Sequence, residues 1–448
     1  MNDKYVNNFL SAHPDIDLFE VLLPDLNGCL RGKWLSRDHI HDLFENGLKM
    51  PLTTLGFDVW GRDPESWVFV EGDRDGVCVA EPRSLVPIPW LSKPTAQVLM
   101  SLRTELGHPC GYDPRDLVRA IQQRFGVLGI IPVVALEMEF YLLDANRDDF
   151  GKPVHSQKGI DGRAALGGQT YGIEQMQDVA PVMYAIRDAC ELQNLPIDTL
   201  ITESAPSQYE INLYHQADAL LAADQALMLK RLIKRVAKQQ GYLATFMAKP
   251  FADQAGSGMH LHVSLNDNDG HNLFASSGDR EANKLLRQAI AGCLNAMPDS
   301  MAIFSPSFNA FRRFQQGSHA PLAASWGYEN RTTALRIPAG SNIDRRIEHR
   351  VASADANPYL VVASILGAML YGVENQLEAP PDIVGDAYEQ GLPELPRYLP
   401  DALNTFEQSS YIQDCFGSEF QRVFLAAKRQ ELAEFDRQVT LLEYDSYL

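Results

Sequence analysis

Two carboxylates stand two residues apart in Glu137-Met138-Glu139, directly after the apolar run Ile130–Leu136. A strand's period of two puts both acids on one face and Met138 on the other. Like charges side by side on an inward-facing strand are costly unless a cation holds them. The pattern recurs along the chain. Met259–Ser264 sets His260, His262 and Ser264 on one face, preceded by Gly256-Ser257-Gly258. Arg346–Arg350 sets two guanidiniums around Glu348, and Glu203 and Glu210 flank a Ser-Ala-Pro-Ser turn. Surface alternation explains any one of these segments, but not four that each line one wall with Glu, His or Arg. Glu137, Glu139, Glu203, Glu210, Glu348 and His260 are oxygen-rich and thiolate-free, which suits magnesium or manganese and not structural zinc. Six ligands exceed what one magnesium takes from a protein, so two ions are the natural count.

Residues 312–350 hold Arg312, Arg313, Arg331, Arg336, Arg345, Arg346 and Arg350, no lysine, and only Glu329, Asp344 and Glu348 as acids. A basic window in a chain of net charge −19 marks an anion site. Arginine without lysine favours a bidentate grip on carboxylate or phosphate. Two metals beside an arginine cluster point to phosphoryl transfer from a nucleotide. The Gly-Ser-Gly turn adds little, since any tight turn uses glycine.

The elements that must position these groups can be read more coarsely. Strand-like runs at Phe19–Leu23, Trp67–Val70 and Val77–Ala80 occupy the first hundred residues. The cluster Pro82, Pro87, Pro89 and Pro94 looks like a domain boundary or a rigid connector. Asp113-Pro114 starts a helix carrying Leu117, Ile121 and Phe125, so a second domain begins near residue 105. Further helices are expected over 217–240, closed by Gly241, and over 283–297 and 357–377. The class is α+β, with domains over 1–104 and 105–448. Pro358–Val373 is too short and too interrupted to span a membrane and reads as a buried helix. The acidic balance makes nucleic acid and membrane surfaces poor partners. Six scattered cysteines and the absence of a signal peptide indicate a reduced, cytoplasmic protein.

With these residues in place, the chain resembles the glutamine synthetases. The matching motifs are Glu137-Met-Glu139-Phe, Glu203-Ser-Ala-Pro-Ser-Gln-Tyr-Glu210, Lys249-Pro, Gly256-Ser-Gly-Met-His260-Leu-His262-Val-Ser264, Asn330-Arg331-Thr-Thr-Ala-Leu-Arg336 and Arg345-Arg346-Ile-Glu348-His-Arg350 with Asn357-Pro-Tyr-Leu. The resemblance implies a small N-terminal β-grasp domain and a larger glutamine-synthetase-type catalytic domain. It also implies a homo-oligomer, a dodecamer of two hexameric rings with sites between subunits. Glu139, Glu203 and Glu210 match ligands of the metal near the acceptor glutamate. Glu137, His260 and Glu348 match those of the metal bridging the ATP phosphates. Gly256, Arg313 and Arg350 match contacts to substrate L-glutamate, and Arg331 and Arg336 match arginines facing the transferred phosphoryl group. His262, Ser264 and Arg346 match nucleotide contacts, and Asp198 an acid near ATP. The implied chemistry is γ-phosphorylation of glutamate with ATP and Mg²⁺ or Mn²⁺, two or more ions per site, followed by attack of an amine.

Departures from the family pattern bear on that amine. Ala255 stands where ammonia-using members have asparagine, and His319 where they have a catalytic glutamate. Met50–Gly56 carries no carboxylate where an N-terminal acid for ammonium is expected. A bare ammonium ion needs carboxylates to concentrate and deprotonate it, so the nucleophile has changed while the first half-reaction survives. This pattern resembles the γ-glutamylpolyamine synthetases, which join glutamate to putrescine or related amines. Trp60 is a candidate wall for the amine, with Asp58, Asp63 or Glu65 for its distal ammonium, and His319 a candidate base. The motif around Tyr388 lacks the Asp-Leu-Pro that follows the family's adenylylated tyrosine, so no adenylylation is expected. The alternatives are a true glutamine synthetase, a ligase for small monoamines and, from another class, a non-catalytic binding or structural member.

Overall fold

The computed structural model describes residues 2–67, 72–156, 168–276, 278 and 281–448. Two sheets organise the chain. The first contains β1 (Leu18–Pro24), β2 (Leu30–Ser36), β3 (Leu48–Pro51), β4 (Asp75–Ala80), β5 (Val86–Pro87) and β6 (Thr95–Arg103). Its order is β2-β1-β6-β4-β3, with β5 also on β6 and β1 parallel to β6. This mixed sheet lies beside the helix Ile40–Asn46. The proline cluster is not its boundary. Pro82 opens a 3₁₀ turn and Pro87 ends β5, so the cluster is the stiff connector between β4 and β6. Trp67 is buried and lies in a helical turn rather than in a strand, and 68–70 lie outside the described residues.

The second sheet contains β7 (Ile131–Asp144), β8 (Ile197–Thr202), β9 (Gln208–Leu213), β10 (Tyr242–Thr245), β11 (Met259–Asn266), β12 (Trp326–Tyr328), β13 (Leu335–Ile337) and β14 (Ile347–His349). Its order is β12-β13-β14-β11-β7-β9-β8, with β10 also on β7. β7 lies inside the sheet, between β11 and β9, and its burial alternates residue by residue from Ile131 to Phe140. Val134, Leu136, Met138 and Phe140 face the core; Ala135, Glu137 and Glu139 face the other way.

Helices cover the apolar face, and each expected one forms behind a polar cap. Asp113 accepts from the amides of Arg115 and Asp116 ahead of Pro114–Val127. Asp218 caps Ala219–Gln239, Asn283 caps Lys284–Ala296, and Asn357 caps Pro358–Glu374. The last two helices meet backbone to backbone: a Cβ on Gly372 would lie 2.0 Å from the Gln288 carbonyl oxygen. Among the described residues no helix is long and apolar enough to cross a membrane.

The apolar core is continuous from the first sheet to these helices. Two polar ties cross the same junction. Asn357 Nδ2 donates to the carbonyls of Asp25 (3.0 Å) and Leu26 (3.3 Å). Arg115, 1% exposed, places Nε and Nη2 at 2.9 and 2.8 Å from the Asp224 carboxylate and Nη1 2.8 Å from Ser101 Oγ on β6. Tyr359 OH donates to the same carboxylate at 2.7 Å. Removing one partner of such a buried pair strands the other charge. Asp224→Ala is therefore expected to cost about 3–5 kcal/mol, read as an earlier midpoint in chemical denaturation.

Candidate active site

Strand register sets the charged belt. Glu137 lies opposite His260 on β11 and Asn212 on β9, and Glu139 lies opposite Glu210. One step outward, Glu348 on β14 pairs with His262 on β11 and Arg336 on β13. Glu203 follows β8, its amide donating to the Gln208 carbonyl across the turn (2.9 Å). Hydrogen-bonding side chains thus converge from five strands onto one face.

Contacts in the belt follow a gradient. His262 Nε2 is 2.8 Å from Glu137 Oε1, and His260 Nδ1 is 3.2 Å from Glu137 Oε2. Glu348 is held by Arg336 and Arg350. Arg346, expected to flank Glu348, donates to His262 Nδ1 at 3.1 Å. A guanidinium can only donate, so His262 Nδ1 accepts. Glu139 Oε2 accepts from the Gly258 amide at 2.7 Å.

Electrostatics divides the carboxylates into two groups. Burial pushes Glu348 up, but Arg350 and the two histidines outweigh it and hold it down at about 2. Burial is likewise outweighed at Glu137, which His262 and His260 hold well below the usual range. Burial raises Glu203 to about 7, reinforced by Glu139 and Glu137 and opposed by Arg331. Burial and the charges of Glu137, Glu139 and Glu203 raise Glu210 to about 9. The belt without a cation therefore retains protons where ligand oxygens converge. Ligand atoms of Glu137, Glu210 and His260 lie within 4.8 Å of one another, as do those of Glu137, His262 and Glu348. Oxygen donors with one imidazole fit Mg²⁺ or Mn²⁺.

Beside the belt lies a groove of about 600 Å³, lined by Glu137, Asp198, His262, Ser264 and Arg346 among others. Asp198, His262, Ser264 and Arg346, the residues matched to nucleotide contacts, share this one cavity, while Arg336 lies on the belt itself. Gly256, Arg313 and Arg350 form a second group. Arg313 is buried and donates to the carbonyls of Val351 (2.7 Å) and Arg350 (3.2 Å). A Cβ on Gly256 would sit 2.6 Å from Arg313 Cγ, so the glycine makes room for the arginine rather than cradling phosphate. Of the remaining arginines, Arg345 braces the loop through Ser276, Asn342 and the Glu281 carbonyl, and Arg312 lies over the Phe308 ring.

Two expected residues stand apart. Arg331 is exposed and, among the described residues, acts on the belt through its field at Glu203. His319 is exposed with φ of 58° and, among the described residues, shares no hydrogen bond or ion pair with the belt. The N-terminal amine candidates lie in another cavity: Trp60, 47% exposed, shares it with Arg62, Glu434, Phe435 and Gln438. Asp58 is fully buried, with Oδ1 taken by the amides of Trp60 and Arg62 and Oδ2 by Arg62 and Gln430. It holds the loop together, leaving Asp63 and Glu65 as the exposed acids there. Tyr141 and Gln208 are unexpected contributors. Tyr141 OH donates to the Ala255 carbonyl (2.6 Å) and Gln208 Nε2 to that of Gly256 (3.0 Å). Period two extended from Glu139 to Tyr141, and from Glu210 back to Gln208, would have found both.

The family model for the glutamine synthetase catalytic domain matches residues 111–447. The chain belongs to the glutamine synthetase family. Gamma-glutamylputrescine synthetase PuuA of Escherichia coli (strain K12) is 39% identical, over 98% of this chain and 93% of its own length. Glutamate–isopropylamine ligase of a Pseudomonas species is 31% identical over 99% and 97%. The solved structure of a GmaS/ADP complex superposes with a TM-score of 0.87 at 26% identity, covering 100% of this chain and 99% of that one. As a family member the chain is an ATP-dependent carbon–nitrogen ligase.

The raised carboxyls have a measurable consequence in the metal-free protein. Below the ordinary glutamate value of 4.5 the folded and unfolded states hold the same protons, and the stabilising contribution of Glu203 and Glu210 is complete. As pH rises through about 7 and then about 9, the folded state must give up protons it holds more tightly than the unfolded chain, and that contribution is lost. Tm is therefore expected to fall between pH 6 and 9, with Mg²⁺ or Mn²⁺ restoring it most at the alkaline end. Differential scanning calorimetry with and without the ion checks this.

Proposed function

We propose that this glutamate–amine ligase makes γ-glutamyl amides of a polyamine such as putrescine, through γ-glutamyl phosphate. The observation that carries the reading is the belt of five glutamates and His260 between an ATP-sized groove and the buried Arg313–Arg350 pair. In this reading Glu139, Glu203 and Glu210 hold one ion and Glu137, His260 and Glu348 another; bound there, the ions neutralise charge on the phosphates. Asp198, His262, Ser264 and Arg346 bind ATP. Gly256, Arg313 and Arg350 orient glutamate so that a γ-carboxylate oxygen attacks the terminal phosphorus and ADP leaves. Arg331 and Arg336 stabilise the charge on the transferred group. The amine then attacks the acyl carbon, phosphate departs, and His319 takes the amine's proton.

The choice of amine rests on the 39% identical relative, named for putrescine, and on Ala255 and His319 replacing residues suited to ammonium. The relative named for isopropylamine likewise supports an amine other than ammonium. A ring dodecamer with sites between subunits belongs to the same proposal. It would bring the Trp60 loop, which sits in a cavity of its own in the single chain, against a neighbour's site. A cytoplasmic setting is supported by six unpaired cysteines.

Phosphate release should be measured with ATP, Mg²⁺ and L-glutamate against ammonium, methylamine, ethanolamine, putrescine, cadaverine and spermidine. Release is expected with the diamines and little with ammonium. Efficient use of ammonium would instead make the chain a glutamine synthetase in activity, and silence across the panel would point to a non-catalytic member.

A further inference from the structure

Arg331 and His319, the residues assigned to phosphoryl charge and to the amine proton, both sit outside strands, on loops that need external support. Both loops are tied to one short segment, residues 383–389. Asn330, just before Arg331, donates its Nδ2 to the carbonyls of Ile383 (3.1 Å) and Gly385 (2.8 Å). Thr332, just after it, accepts from the Ala387 amide at 2.9 Å and donates to Asn330 Oδ1 at 2.6 Å. On the other side, Tyr388 OH donates to the Ala320 carbonyl at 2.9 Å and is hydrogen-bonded to Ser318. These two residues bracket His319, whose left-handed backbone needs its flanks fixed.

The segment is itself anchored. The Ile383 amide donates to the Trp326 carbonyl on β12 (2.8 Å), and Trp326 Nε1 donates to the Pro380 carbonyl (2.8 Å). Asp386 accepts from the Tyr388 amide (2.9 Å) and so sets the turn that presents the phenol. Every residue adjoining Arg331 or His319 is thus bonded to this segment or, as with Asn330 and Thr332, to it and to its opposite number.

We propose that Tyr388 is a positioning residue, the pivot of a brace that holds the His319 and Arg331 loops in one arrangement over the acyl phosphate. The proposal rests on the ligase reading above. With the brace intact, the amine is the nucleophile that reaches the acyl carbon. With it loosened, water attacks that carbon instead, the bond from carbon to the phosphate oxygen breaks, and glutamate and phosphate are returned. The net reaction is then hydrolysis of ATP.

Phosphate released and γ-glutamyl amide formed should be measured side by side for the wild-type enzyme, Tyr388→Phe, Thr332→Val and Thr332→Ser, with Tm for each. Tyr388→Phe removes one oxygen and Thr332→Val the other tie. Both are expected to keep KM for ATP and Tm, to lower amide kcat/KM about tenfold, and to raise the phosphate-to-amide ratio at least about threefold, whereas Thr332→Ser keeps the wild-type ratio. If Tyr388→Phe fails to fold, the Thr332 pair decides by the same ratio. Ratios within twofold of wild type in folded Tyr388→Phe and Thr332→Val would overturn the brace. A wild-type enzyme that forms no amide at all would overturn the ligase reading instead.

Discussion

Repulsion among half-buried carboxylates governs this structure. Glu137, Glu139, Glu203 and Glu210 converge on one sheet face, and two of them, Glu139 and Glu210, are directly opposed across neighbouring strands. Like charges in that register oppose strand pairing. The sheet nevertheless forms, because the opposite face of β7 is committed to a core of Leu136, Met138 and Phe140. A slip of one residue would bury the glutamates and expose that core, so hydrophobic burial fixes the register and the charges must be accommodated.

Accommodation is unequal, and the inequality is what gives the belt its chemistry. Toward β14, two arginines and two histidines keep Glu348 and Glu137 ionised. Toward β8, the charge that opposes burial at Glu203 is that of the exposed Arg331, and Glu203 and Glu210 hold protons instead. A divalent cation would resolve the second half as the guanidiniums resolve the first. In the proposed reading, the same low-dielectric face would serve a triphosphate, an acidic substrate and the charge that develops between them.

The sequence made this half of the molecule legible because period-two patterning is a local signal. Glu137/Glu139, His260/His262 and the capped helices at Asp113, Asp218, Asn283 and Asn357 could be read without knowing what packs against them. Long-range choices could not. That Arg346 would turn to His262 while Arg336 reached Glu348 depends on the β13–β14 pairing, which three-residue strands do not announce. Asp58 reads as a free acid until Gln430, far along the chain, is seen to occupy it. The proline cluster marks stiffness correctly, but stiffness serves a connector within a sheet as readily as a boundary between domains.

The account stands on the belt being a cation site, which can be measured without any turnover. Metal-free protein titrated with Mn²⁺, with the free ion followed by electron paramagnetic resonance, counts the ions bound per chain. Two or more tight ions, falling in number in Glu137→Gln, are the result this account requires. A wild-type protein that binds no more Mn²⁺ than Glu137→Gln would contradict it, leaving the crowded carboxylates to be explained by protonation alone.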